Sequence, residues 1–146
     1  MRFSVGLLQS ILALIVATSA LPLEGEAATT ALDKRQGIPT ANLVTCNFVL
    51  QPTAAVDPTN INELNFEFSN VIIDAFENSS TPTGIVVNFG TTFSANLDAN
   101  NTFNVQDEFG SQRLSAATSI PIIESWVGTT LPGFTSNWIV NSASCQ

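Results

Sequence analysis

The two cysteines are the strongest constraint on how this chain can fold. Cys46 and Cys145 are the only cysteines in a chain of 146 residues. In an exported chain an even pair most simply forms a disulfide, with free thiols or pairing between chains as the alternatives. The bond would close a loop of about a hundred residues, which chain-entropy reasoning values at about 4–5 kcal/mol. The first and last structured segments would then lie side by side.

The amino terminus indicates export. Arg2 precedes an apolar stretch over residues 5–17, and the small residues that end at Ala20 are typical of a signal-peptidase site. Glu24 interrupts the apolar character before the chain reaches the ~20 residues that a membrane span needs. Residues 1–20 are therefore predicted to be a cleaved signal peptide, and the protein is predicted to be secreted.

The dibasic pair Lys34-Arg35 marks a second boundary. Residues 21–35 are small and polar and contain no aromatic side chain, so this segment has little to bury. A basic pair in such a strip is accessible to a trypsin-like convertase, although two solvated charges are the alternative interpretation. The pattern predicts a propeptide over 21–35 and a mature secreted domain over 36–146.

The composition of residues 36–146 limits the partners that this segment can bind. Its 111 residues are enough for one domain. It contains nine carboxylates and one basic residue, Arg113, and so has the same net charge of −8 as the whole chain. Such a surface repels phosphate backbones and anionic lipids, which makes nucleic acid and membranes poor partners. Nine phenylalanines and two tryptophans indicate a folded core.

Residues 61–76 fit two patterns. A helical projection gathers the apolar side chains on one arc: Ile61, Leu64, Phe68, Val71, Ile72, Ala75 and Phe76. The polar side chains gather opposite: Glu63, Glu67, Asn70, Asp74 and Glu77. Asp57 and Pro58 would supply the cap and a first-turn proline. Leu64, Phe66 and Phe68 also alternate with polar neighbours as in a strand, but the length and the one-sided charge favour a helix.

The rest of the domain is predicted to be mainly strand. Alternation predicts strands over 44–50, 85–97, 102–105 and 134–140. The middle two would form a hairpin, with Gly90 at a bulge or break. A second helix is predicted within residues 111–130, most clearly over 121–128, with Pro121 in its first turn. The resulting β-α-β-β-α-β order is that of a small α+β sandwich with helices on one face of an antiparallel sheet. An all-β sandwich is the alternative.

Much catalytic chemistry is excluded by composition. The chain has no histidine, so Ser-His-Asp, Cys-His and His-bearing zinc sites cannot form. Residues 36–146 also lack lysine and tyrosine, and the chain contains no glycine-rich phosphate loop. We therefore expect no catalytic residues, no cofactor and no metal site, and we expect that the protein is not an enzyme.

Two carboxylate pairs are the remaining candidates for chemistry. Asp107 and Glu108 could supply the acid and the base of a carboxylate-dependent hydrolase. Adjacent strand residues point to opposite faces, however, so solvated loop or edge charges are the favoured interpretation. Glu63 and Glu67 would share a helix face and could hold a hard cation, but an ordinary solvated face is favoured.

Two further residue types bear on surface function. Asn78 and Asn100 begin Asn-X-Ser/Thr sequons in turn-rich stretches and are predicted to be glycosylated. Trp126 and Trp138 could form stacking platforms for sugar rings. Both lie in apolar periodic contexts, which favours the core.

The precursor as a whole resembles the fungal small secreted proteins. The resemblance rests on the signal peptide over 1–20, the short propeptide that ends at Lys34-Arg35, and a compact acidic domain with one cysteine pair. Lys34-Arg35 is similar to a kexin-type processing site. Members of this group are often effector-like, and some are thought to act on the producing fungus or on its secreted enzymes.

We therefore expect a secreted, non-enzymatic effector-like or signalling protein that binds an extracellular protein partner. Its role would be to regulate growth of the producing fungus, its lignocellulose-degrading enzymes or a host response. A cell-wall or carbohydrate-binding protein is one alternative, and a carboxylate-dependent hydrolase is another.

Overall fold

A five-stranded sheet and two helices make up the fold. The structure, a computed structural model, describes residues 37–79, 81–96 and 101–146, so Ala20, Lys34 and Arg35 lie outside the described residues. The strands are β1 (Leu43–Pro52), β2 (Val86–Asn96), β3 (Thr102–Ser111), β4 (Thr130–Leu131) and β5 (Trp138–Cys145). The helices are α1 (Ile61–Glu77) and α2 (Ala116–Glu124). A 3-10 turn, Thr40–Asn42, precedes β1.

The sheet is antiparallel, and its strand order is β2-β3-β1-β5-β4. Both helices lie on one face of it. The predicted α+β class is confirmed, and the helix is the correct choice for residues 61–76. The predicted hairpin is present as β2 and β3, with a register shift between Asn88 and Gly90 at the expected bulge. The added element is the two-residue strand β4, which pairs with β5.

The central strand β1 brings the two ends of the domain together. Its side chains alternate, with Cys46 and Phe48 among those directed into the core. Thr45 and Gln146 exchange two backbone hydrogen bonds, each of 3.0 Å. Cys46 and Cys145 therefore occupy the adjacent non-hydrogen-bonded position, where the two strands approach most closely. Their Cα atoms are 4.1 Å apart and the disulfide is formed, as predicted.

Helix α1 packs on the sheet, and the core between them is mainly aromatic. The Phe68 ring meets Phe93, Phe103 and Trp138 at centroid distances of 5.2, 5.5 and 4.7 Å. Such tilted and edge-on contacts are the preferred arrangement of aromatic rings. Trp126 stacks on Phe48, and both tryptophans are buried. The prediction that the tryptophans belong to the core is confirmed.

Several predicted helix details are wrong. The helical projection predicts Ile61 on the buried arc of α1, but its side chain is 64% exposed. Asp57 does not cap α1, because its Oδ1 accepts bonds from Thr59 N–H at 2.9 Å and Thr59 Oγ1 at 2.7 Å. These bonds form a separate turn, so the helix begins only at Ile61. Helix α2 lies inside the predicted 111–130 segment but runs over 116–124 rather than 121–128, so Pro121 lies inside the helix and not in its first turn.

The disulfide prediction is tested by removing the bond. We expect the double substitution Cys46→Ser and Cys145→Ser to lower the free energy of unfolding by about 4–5 kcal/mol, because the unfolded chain regains the freedom that the closed loop removes. Secretion yield should fall as well. Urea unfolding and thermal melting of the two forms measure the difference. An unchanged melting temperature would contradict the prediction.

Candidate functional site

Glu67 is the principal departure from the predicted pattern of α1. It was expected on the solvated face with Glu63, yet its side chain is only 1% exposed. Its spacing explains this, since it follows Leu64 by three residues and precedes Val71 by four. On a helix those positions share one face, and both neighbours are buried. Glu67 therefore projects into the core side of the helix.

The Glu67 carboxylate is hydrogen-bonded to the loop between β4 and β5. One oxygen, Oε2, accepts the backbone N–H of Phe134 at 3.1 Å. The other, Oε1, accepts the N–H of Thr135 at 3.1 Å and the indole N–H of Trp138 at 2.8 Å. Both oxygens thus have donors, which is what a buried carboxylate needs. Helix α1 and the loop over residues 133–138 are thereby fixed to one another.

Gly133 allows the backbone of the loop to lie close to the Glu67 carboxylate. A Cβ atom at this position would collide with Glu67 Oε1 and would stand 2.5 Å from the Ser136 carbonyl oxygen and 2.8 Å from Trp138 Nε1. No larger residue fits while the carboxylate keeps its donors. The loop conformation therefore depends on a glycine at 133 as well as on Glu67.

Helix α1 and the 133–138 loop each present one aromatic ring to solvent. Phe134 is 70% exposed and Phe66 is 61% exposed. Their ring centroids are 5.9 Å apart. Exposed apolar residues are ordinary when scattered, but here a ring on helix α1 lies beside a ring on a loop held by a buried carboxylate, and together they form a defined feature. We call this feature the Phe66–Phe134 pair.

A small cavity of about 190 Å³ has Thr135, the residue after Phe134, in its wall. It is lined by Ala55, Val56, Asp57, Asn60, Glu63, Leu64 and Thr135. Hydrogen bonds from the Thr59 hydroxyl and N–H lower the pKa of Asp57, so this carboxyl is ionised at neutral pH. The hydroxyl of Thr135 is buried and has no hydrogen-bond partner among the described residues. The cavity therefore has two carboxylates and a threonine in its wall.

Asp107 forms a second buried polar cluster, away from the Phe66–Phe134 pair. Its Oδ1 accepts the Thr91 hydroxyl at 2.5 Å and the Asn88 amide at 2.9 Å. The Thr91 hydroxyl also lies 2.7 Å from that of Ser69, which connects the cluster to α1. Asp107 Oδ2 is buried without a partner in the described part of the chain. Burial raises the pKa of Asp107 to about 6, although its hydrogen bonds act in the opposite direction.

The sheet face opposite the helices is exposed and mostly polar. A depression of about 580 Å³ lies on this face. The polar residues that line it are Asn47, Thr92, Ser94, Asn104, Gln106, Ser142 and Ser144. They offer amides and hydroxyls but no charge, and Gln106 donates to Asn47 at 3.1 Å. This open face is chemically unlike the acidic surface of α1.

The two carboxylate pairs proposed from the sequence do not form shared sites. Asp107 is buried, whereas Glu108 is exposed on the other face of β3, as the alternation of a strand requires. Glu63 is exposed and Glu67 is enclosed by the 133–138 loop, so these two carboxylates do not form a joint ligand pair. Within residues 37–79, 81–96 and 101–146, no group of three His, Cys, Asp or Glu side chains could hold a metal ion.

The remaining sequence-based predictions concern the surface. Asn78 is exposed just after the last residue of α1, where an attached glycan would meet solvent. Asn100 lies outside the described residues. No helix in the described part of the chain is long and apolar enough to cross a membrane.

Comparisons of the chain with models of protein families, with curated proteins and with solved structures find no match. The site must therefore be judged from its own geometry.

We expect Glu67→Gln to lower the free energy of unfolding by about 2–3 kcal/mol. A hydrogen bond to a charged acceptor contributes about 1.5–3 kcal/mol, and the new amide would direct its own donors at N–H groups of the loop. Urea unfolding measures the loss, and hydrogen exchange at Phe134 and Thr135 should accelerate. Glu63→Gln, one turn away and exposed, is the matched control and should change stability by less than about 0.5 kcal/mol. Equal effects of the two substitutions would contradict the assigned role of Glu67.

The raised pKa of Asp107 predicts that the stability of the protein depends on pH. Its pKa of about 6 in the folded protein exceeds the ordinary value of 3.8, so the folded state binds the proton more tightly. The resulting stabilisation is fully present below the unfolded pKa and is lost as the pH rises through about 6. A difference of about two pKa units corresponds to about 3 kcal/mol.

The substitution Asp107→Asn isolates this effect, because the neutral amide resembles the protonated acid. We expect the variant to be more stable than the natural protein at pH 8, and the advantage to shrink at pH 4. Urea unfolding at the two pH values measures it, with Glu108→Gln as the control on the exposed face. A variant that is less stable at pH 8 would contradict the prediction.

Proposed function

We propose that this chain is a secreted, non-enzymatic effector-like or signalling protein that acts by binding an extracellular protein through the Phe66–Phe134 pair. The observation that carries the proposal is the exposure of two adjacent aromatic rings, one on helix α1 and one on the loop that the buried Glu67 carboxylate holds. Rings that served only the core would not be 61% and 70% exposed.

Physical reasoning supports a binding role for these rings. Aromatic side chains are enriched at protein interfaces and often supply most of the binding energy. A surface that is already ordered loses less conformational entropy when a partner binds. The hydrogen bonds of Glu67 supply that order to Phe134, while helix α1 supplies it to Phe66. The rings therefore meet both requirements of an interface anchor.

The precursor sequence supports an extracellular location for this activity. The disulfide suits an oxidising compartment, and the leader with its dibasic site indicates an exported product. On the resemblance to fungal small secreted proteins, the partner would control growth of the producing fungus, its extracellular enzymes or a host response. No catalytic step is needed for any of these roles.

Alanine substitution at the Phe66–Phe134 pair tests the proposal. A strain lacking the gene is complemented with the natural protein, with the double variant Phe66→Ala and Phe134→Ala, or with Ile85→Ala. Ile85 is a matched control because it is a large apolar residue that is 58% exposed elsewhere.

We expect the double variant to be secreted and folded normally but to fail to restore the growth or secretome phenotype of the deletion. The Ile85→Ala protein should restore it fully. Full restoration by the double variant would overturn the proposed surface. A deletion strain that is unchanged in growth, secretome and colonisation would remove the support for a signalling role.

The open sheet face supports carbohydrate binding as a second candidate function. Its amides and hydroxyls could bond to sugar hydroxyls across the depression on this face. The buried tryptophans leave no stacking platform of the kind weighed from the sequence. Retention on chitin, glucan or cellulose that is lost in Gln106→Ala would favour this function, and no retention on any of them would reject it.

A further inference from the structure

The charges around the Phe66–Phe134 pair are all of one sign. Glu63 is exposed on the same helix as Phe66, and Asp57 lies with it in the wall of the neighbouring cavity. Asp74 and Glu77 continue the negative charge along the exposed surface of α1. A partner that covers the rings would meet carboxylates and no cation from these segments.

The one basic residue of the described chain is remote from this surface. The Arg113 side chain lies against Gly84, near the end of the sheet where β1 begins opposite Gly110. The 133–138 loop contacts the other end of β1, where Thr53 N–H donates to the Asn137 carbonyl at 2.9 Å. Ten residues of strand, or about 30 Å, separate the two ends. Arg113 therefore cannot neutralise the charge beside the rings.

The cavity next to Phe134 has the chemistry of a site for one cationic side chain. Val56 and Leu64 contribute apolar walls, while Asp57 and Glu63 contribute carboxylates. Thr135 completes the wall, and its buried hydroxyl has no hydrogen-bond partner in the described part of the chain. The cavity volume of about 190 Å³ is that of about six water molecules. It therefore suits the five heavy atoms of a lysine side chain.

We propose that the partner bound by the Phe66–Phe134 pair is a basic polypeptide segment, which packs an apolar side chain on the two rings and inserts a neighbouring lysine or arginine into the cavity lined by Asp57, Glu63 and Thr135. This inference rests on the proposed function, and it specifies the chemistry of the partner. Apolar contact would supply affinity, and the carboxylates would exclude acidic competitors.

Peptide titration followed by NMR tests this partner chemistry. The isotope-labelled secreted protein is titrated with a Gly-Lys-Phe-Lys-Gly peptide and, in parallel, with Gly-Glu-Phe-Glu-Gly, both blocked at their termini. We expect only the lysine peptide to shift the amide signals of Phe134 and Thr135 at millimolar concentration. The shifts should weaken as NaCl is added, because salt screens exposed charges.

Three variants distinguish the contribution of the charge from that of the rings. Glu63→Gln should weaken the lysine peptide about two- to five-fold, the effect that one exposed ion pair contributes. Glu77→Gln, on the same helix but at its far end, should leave the affinity unchanged. Phe134→Ala should abolish the shifts.

The outcomes distinguish this inference from the proposed function. Equal binding of both peptides, or equal affinity in Glu63→Gln and Glu77→Gln, would overturn the basic partner while leaving an apolar interface at the rings intact. Binding that survives Phe134→Ala but falls in Glu63→Gln would instead reject the rings as the anchor. If neither peptide shifts any signal, the proposal of a basic partner is overturned. The complementation phenotype then tests the role of the rings by itself.

Discussion

The arrangement of this domain depends on one buried carboxylate. Glu67 accepts three N–H groups from a segment that lies far from it in sequence, so the docking of α1 and the folding of the 133–138 loop are coupled. A buried charge is costly unless it is hydrogen-bonded, and only the native loop supplies these donors. Helix α1 cannot pack in this way unless the loop closes, and the exposed position of Phe134 follows from that closure.

Strand β5 transmits this constraint to the sheet. Its first residue, Trp138, donates its indole N–H to Glu67, and its last residue, Cys145, is bonded to Cys46 on the central strand. The strand is therefore held at both ends, once by a hydrogen bond in the core and once by a covalent bond. Because the chain between the two cysteines contains both helices and most of the sheet, the disulfide reduces the freedom of nearly the whole unfolded domain.

The sequence contained enough information for the fold class but not for this site. Alternation in β1 and the one-sided charge of α1 depend on local periodicity, which is why the strand, the helix and the hairpin were predictable. Glu67 broke the pattern, since its residue type indicated solvent while its spacing from Leu64 and Val71 indicated the core. The spacing taken by itself predicts that Glu67 is buried. Its donors come from residues 134–138, and no local pattern relates that segment to α1.

The same long-range contact explains a boundary that periodicity misplaced. The apolar residues over 134–140 indicated a strand, but the backbone N–H groups of Phe134 and Thr135 are taken by Glu67 and are not available for a sheet ladder. Strand β5 therefore begins at Trp138. A segment that looked like the start of a strand instead became the loop that exposes an aromatic ring.

The two buried carboxylates among the described residues have different effects on the domain because their hydrogen bonding differs. Glu67 has donors on both oxygens and fixes the geometry of the 133–138 loop. Asp107 has donors on one oxygen only, and its raised pKa makes the stability of the sheet sensitive to pH near 6. Protonation of Asp107 in an acidic medium would therefore strengthen the fold while leaving the donors of the Phe134 loop in place.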